Sequence, residues 1–185
     1  MKRILVLALA LIGVPAAAQD FNLGEAVQLC AGCHGEAGVP VEPDIPILWG
    51  QEFYYTYVQL RDYKAGRRAN EIMQPIASEF DKDQMKAIAQ YFAEKDWPRL
   101  NVSKNPALAD AGRSHAVAGQ CAQCHSTYKG DSRVPRVAGQ NEAYLARTML
   151  EFKEKVRLNS PAKSTLMKSF DDQALKAMAH FLATL

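Results

Sequence analysis

The pentapeptide Cys-x-x-Cys-His occurs twice, as "CAGCH" over residues 30–34 and "CAQCH" over residues 121–125, and these hold all four cysteines of the chain. Two disulfides would use four cysteines in an exported protein, but would leave the histidine after each pair without a purpose. A four-thiolate zinc site draws its pairs from about 15–20 residues apart; here they begin 91 residues apart. A thioredoxin-like centre needs one pair beside a βαβ pattern, and no stretch of this chain alternates clearly enough for a strand. Covalent haem attachment uses every position. Two thiols add to the two vinyl groups of one porphyrin, two intervening residues set the reach, and the adjoining imidazole meets the iron. Cys30, Cys33 and His34 are therefore expected to hold one haem c, and Cys121, Cys124 and His125 a second.

The repetition extends well past the pentapeptides. "IPILWGQEFYYTYVQLRDYKAGRR" follows the first and "VPRVAGQNEAYLARTMLEFKEKVR" the second, and they align on Gly50-Gln51 and Gly139-Gln140. Pro46 then matches Pro135, Tyr55 matches Tyr144, Leu60 matches Met149 and Arg68 matches Arg157. Further on, "FDKDQMKAIAQYFA" pairs with "FDDQALKAMAHFLA" when Phe80 is set on Phe170. Apolar residues at helical spacing predict helices over about 52–65 and 82–95, repeated over about 143–156 and 171–184, with Asp81 and Asp171 as N-caps. A further helix is expected to precede and include each pentapeptide. The expected fold is all-α, in two domains over residues 19–100 and 101–185, joined through "DWPRLNVSKNP".

Residues 1–18 read as a cleaved signal peptide. Lys2 and Arg3 form a basic start, Ile4 to Val14 an apolar run, and Ala16-Ala17-Ala18 a small-residue cleavage point. The run falls short of the roughly 20 residues that span a bilayer, and an uncleaved anchor is the rival. A periplasmic location follows, with no integral membrane segment once the leader is removed. Lys2 and Arg3 also account for the formal charge of +2. The remainder is neutral, without the basic surplus that nucleic-acid binding requires. That neutrality hides an asymmetry: residues 19–100 carry 8 Lys/Arg against 13 Asp/Glu, and residues 101–185 carry 12 against 7.

Methionine or histidine is the usual sixth ligand of a haem iron, and the repeat sorts the candidates. Met1 leaves with the leader. Met85, Met149 and Met178 occupy slots that hold Leu or Ile in the sister copy, which marks them as packing residues. Met73 and Met167 remain, one per domain, and are the expected distal ligands. They are not equivalently placed. Met73 stands seven residues before Phe80, whereas Met167 stands three before Phe170, an offset of about one helical turn. An open or differently ligated second iron is the rival. His180, in the slot of Gln90, reads as a surface or packing residue, and His115 as structural.

With these features together, the chain resembles the diheme cytochrome c4 family, whose relatives include the haem subunit of flavocytochrome c sulfide dehydrogenases. The resemblance covers the whole chain after the leader. It implies two class I cytochrome c folds about a pseudo-twofold axis, with the haems near the interface. It also implies that the carbonyls of Pro46 and Pro135 accept the ring N–H of His34 and His125, although simple loop rigidity would also explain these prolines. Ala138 replaces the bulky Trp49, so the two haem environments are expected to differ. Arg68 and Arg157 are candidates to pair with haem propionates, or else solvated helix ends.

The expected function is electron transfer without bond-making on a substrate. Expected partners are other redox proteins: a terminal oxidase, a bc1-type complex or a flavoprotein dehydrogenase. One alternative is the electron-accepting subunit of an enzyme complex. Another is a small haem enzyme of peroxidase or thiosulfate-oxidising type, which would need an open or weakly held iron. The opposed charges of the two halves suggest that each end meets a different partner.

Overall fold

The computed structural model describes residues 20–185, so the expected leader lies outside the described residues. Among those residues the chain is helical, with one isolated bridge between Asp131 and Val134 and no strand. In the first half α1 spans Leu23–His34, α2 Phe53–Lys64, α3 Met73–Ser78 and α4 Lys82–Ala93. The second half repeats the order with α5 (Pro106–Ala118), α6 (Cys121–Cys124), α7 (Glu142–Lys153), α8 (Pro161–Met167) and α9 (Asp172–Ala183).

Local chemistry starts these helices where the sequence suggests. Asp81 accepts from the backbone N–H of Asp83 and Gln84, and Gln84 reaches back to the N–H of Asp81, a reciprocal capping box. Asp171 caps α9 through the N–H of Ala174. Asn105 caps α5, with Pro106 at the first helical position where a missing N–H does no harm. The segments before α4 and α9, where no helix was expected, wind into the short helices α3 and α8.

Each half closes its own core. Met85, Ile88, Ala89 and Phe92 of α4 pack on Leu60 and Tyr63 of α2 and on Ala26 and Val27 of α1. In the second half Leu175, Met178, Phe181 and Leu182 of α9 pack on Leu145 and Phe152 of α7, Ala116 of α5 and Met167 of α8. Met85 and Met178 are buried packing residues, as their slots require.

The halves differ at the pentapeptide. In the first, α1 runs unbroken through it and ends at Gly35, whose φ of 89° turns the chain out of the helix. In the second, the helix stops at Ala118, Gln120 takes a left-handed φ of 53°, and the motif forms the separate turn α6. Ser126, Thr127 and Tyr128 follow with φ of 45°, 53° and 71°. A left-handed conformation costs a non-glycine residue about 1–2 kcal/mol, so this turn holds strain where the first half uses glycine.

Two glutamines join the halves reciprocally. Gln140 accepts from the N–H of Ile47 (2.8 Å) and donates to its carbonyl (3.1 Å). Gln51 does the same to Arg136, at 2.8 and 3.0 Å. Both side chains are buried. The linker lies across this seam, where the Arg136 guanidinium sits 4.5 Å over the ring of Trp97.

Candidate functional site

In each half the helix carrying the pentapeptide, the loop bearing the proline and the final helix converge. Gly50 N–H donates to the carbonyl of Phe92 and Gly139 N–H to that of Leu182, both at 2.8 Å, which pins each proline loop to its final helix. The proline carbonyl then meets the histidine. His34 Nδ1 lies 2.8 Å from the Pro46 oxygen, and His125 Nδ1 lies 2.8 Å from the Pro135 oxygen. A carbonyl can only accept, so Nδ1 carries the hydrogen and the lone pair is left on Nε2. Burial pushes His34 below the ordinary histidine range, against the pull of the Pro46 carbonyl. Burial, joined by the charge of Lys163, pushes His125 down to about 4. Both rings are therefore neutral at physiological pH, the state that ligates a metal.

The same peptide units tie the two sites together. The Pro46–Ile47 unit accepts from His34 at its carbonyl and donates to Gln140 at its N–H. The Pro135–Arg136 unit accepts from His125 and donates to Gln51. Each histidine is thus oriented through a peptide held by a glutamine of the other half. The repeated Gly-Gln was visible in the sequence, but its reach across the seam was not.

The four cysteines are unpaired, and in each motif one is half-buried (Cys30, Cys121) and one exposed (Cys33, Cys124). Burial raises Cys30 to about 11 and also raises Cys121, so both stay protonated thiols. Unpaired thiols beside a histidine with a free Nε2 are the donor set for a covalently attached haem. When bound, that group supplies a one-electron ferric/ferrous couple.

Of the expected distal ligands, Met73 opens α3, where Asn70 caps its N–H at 2.8 Å, and is half-buried against the first core. Met167 closes α8 and lies within the second core. His180 is buried rather than exposed. Its Nδ1 faces Glu142 at 2.9 Å, and its Nε2 accepts from the N–H of Asn105 at 3.1 Å, which fastens the linker to α9. His115 packs edge-on against Phe170.

Arg68 and Arg157 are not solvated helix ends; both are buried between the halves. Arg68 donates to Gln59 Oε1 (3.0 Å) and to the hydroxyl of Tyr144 (3.1 Å). Arg157 donates to the same Gln59 oxygen (2.8 Å) and to the hydroxyl of Tyr55 (3.3 Å). Burial works to raise the Tyr144 hydroxyl, but the two guanidiniums outweigh it and bring it to about 7. The nearby Asp62 is engaged by Arg67 and Asn159. No carboxylate among the described residues pairs with Arg68 or Arg157. Two buried cations sharing one neutral oxygen fit a group that brings its own carboxylates, as haem does through its propionates.

No family model matches the chain. The cytochrome c4 of Thiocapsa roseopersicina is 31% identical over 180 residues, covering 88% of this chain and 91% of its own. The thiosulfate dehydrogenase electron acceptor of Stutzerimonas stutzeri is 28% identical over 179 residues, covering 85% of this chain and 79% of its own. The solved cytochrome c4 of Acidithiobacillus ferrooxidans superposes with a TM-score of 0.75 at 29% identity, over 84% of this chain and 98% of that one.

Proposed function

We propose the details of this chain's role from one fact: it belongs to the cytochrome c4 family. It is a diheme electron-transfer protein with two covalently bound haem c groups, a carrier rather than an enzyme. Our assignment gives Cys30 and Cys33 the thioether bonds to the first haem and His34 its proximal bond. Cys121, Cys124 and His125 take the same parts at the second. Met73 is the distal thioether of the first iron, and the distal ligand of the second comes from α8, the helix that ends in Met167. The domains meet within the linker, near residue 100. The observation that carries this reading is the pair of His–Pro hydrogen bonds at 2.8 Å, which present one free imidazole nitrogen beside each cysteine pair.

The chain's own residues orient and insulate. Pro46 and Pro135 fix the rings, Gln51 and Gln140 fix the prolines, and the two apolar cores keep water from the irons. A six-coordinate iron leaves no position for a substrate, and this favours the carrier over a haem enzyme. We place the mature protein in the periplasm, exported by residues 1–18. Among the described residues no helix is long and apolar enough to cross a membrane. Its partners are redox proteins of opposite charge at the two ends. Glu36 is exposed beside Cys33 in the acidic half, and Lys129 is exposed beyond Cys124 in the basic half. A terminal oxidase, a bc1-type complex and a flavoprotein dehydrogenase are candidates.

The electron-acceptor subunit is the second reading, favoured by the similarity to a protein named as the electron acceptor of a thiosulfate dehydrogenase. Potentiometric titration of the purified holoprotein tests the carrier reading. Two one-electron waves per chain are expected, whereas a single wave would contradict it. Co-purification of a stable 1:1 complex with a dehydrogenase would favour the subunit.

A further inference from the structure

The distal side of the second site differs from the first by more than a shifted methionine. Helices α3 and α8 can be matched through their own backbone bonds. Phe80 N–H donates to the Ala77 carbonyl and Phe170 N–H to that of Met167, at 3.4 and 3.2 Å. Glu79 donates to Ile76 as Ser169 donates to Leu166, at 3.3 and 3.1 Å. At the other end, Gln74 donates to Asn70 as Ser164 donates to Ser160, at 3.0 and 3.2 Å. This single register runs on into α4 and α9. It places Met167 on Ala77, a fully buried core position, and Lys163 on Met73.

The side chain of Lys163 behaves accordingly. Its charge acts on Cys121, Cys124 and His125, the three haem-binding residues of the second pentapeptide. Its Nζ lies 5.6 Å from the centre of the Phe152 ring. Among the described residues it donates no side-chain hydrogen bond and joins no salt bridge. Met167, one turn further along α8, instead packs in the core with Leu175, Met178 and Phe181.

We propose that the ε-amine of Lys163, not the thioether of Met167, is the sixth ligand of the second iron. The step is a simple coordination. The ammonium would release a proton to solvent, and the nitrogen lone pair would bind the iron that His125 also holds, with no change in electron count. Burial, the guanidiniums of Arg157 and Arg68, and a place in the first turn of a helix all disfavour the ammonium form. An amine is a harder donor than a thioether and favours ferric iron. The second couple therefore lies below the His34/Met73 couple.

This inference rests on a haem being attached at Cys121 and Cys124, which the mass of the holoprotein checks separately. The test is the red charge-transfer absorption that a methionine sulfur gives with ferric haem, measured per iron on the oxidised holoprotein. Wild type is expected to show one methionine-ligated haem out of two. Met73→Ala removes the band, Met167→Leu leaves it unchanged, and Lys163→Met about doubles it while raising the lower potential. Should Lys163→Met fail to fold, Lys163→Ala serves, since loss of the amine turns the second haem high-spin and leaves the first untouched. Two methionine bands in wild type, or loss of a band in Met167→Leu, would overturn the assignment and restore Met167. A second haem that stays low-spin in Lys163→Ala would overturn it equally, and would leave Lys163 as a propionate partner.

Discussion

Gln59 offers one carbonyl oxygen to Arg68, Arg157 and Asn159, at 3.0, 2.8 and 3.0 Å. Hydrogen bonds to charged groups contribute about 1.5–3 kcal/mol each, and an unsatisfied buried donor costs a similar amount. Gln59→Leu is therefore expected to destabilise the protein by at least about 2 kcal/mol in chemical denaturation, and an unchanged midpoint would show that propionates alone hold these arginines. Thr127 is strained in the opposite sense, being β-branched at φ 53°. Thr127→Gly should raise stability by about 1 kcal/mol by thermal unfolding, glycine carrying no left-handed penalty. At this scale the pentapeptides were legible in the sequence, because their chemistry is local and repeated, whereas the two His–Pro contacts followed only from the family resemblance. Lys163 was not read, although it stands seven residues before Phe170 as Met73 stands seven before Phe80. A choice among methionines passes over it, and the helix register agrees with that spacing.

At the level of helices, α5 crosses α9 at Gly112, where a Cβ would fall onto the Ala177 backbone carbonyl and the Cβ of Phe181. Alanine would favour the helix by about 1 kcal/mol, but overpacking against backbone that cannot yield costs about 1–3 kcal/mol. Gly112→Ala should thus lower the melting temperature modestly, and Gly112→Val more; an unchanged Gly112→Val would mean that the crossing is looser than described. Across the seam, Gln140→Ala strips the N–H and carbonyl of Ile47 of their buried partner, a loss of about 1–3 kcal/mol. Paired with Gln51→Ala in a double-mutant cycle, it should show coupling, because both act on one interface. The long helices and their Asp caps follow from apolar spacing. The short α3 and α8 do not, since their apolar face is set by the core they close. The break at Gly119-Gln120 escaped notice because the pentapeptide itself is identical in pattern in both halves.

Over the whole molecule, the opposed charges of the halves make a dipole, and on our proposal it steers partners more than it sets affinity. Electron-transfer rates at the basic end should fall with added salt for an acidic partner, and Lys129→Glu should slow that rate severalfold at low ionic strength. Rates indifferent to salt would show that the asymmetry serves domain association instead. The two-domain plan was legible from the repeat, which fixes what each half contains. How the halves meet was not, because Gln51, Gln140, Arg68 and Arg157 act across a seam that no local pattern encodes. All of this depends on both pentapeptides carrying haem, and intact mass spectrometry of the exported, denatured chain tests that most directly. The account predicts the chain from about residue 19 plus two haem masses, reduced to one in Cys121→Ser/Cys124→Ser. A wild-type mass with one haem or none would contradict it.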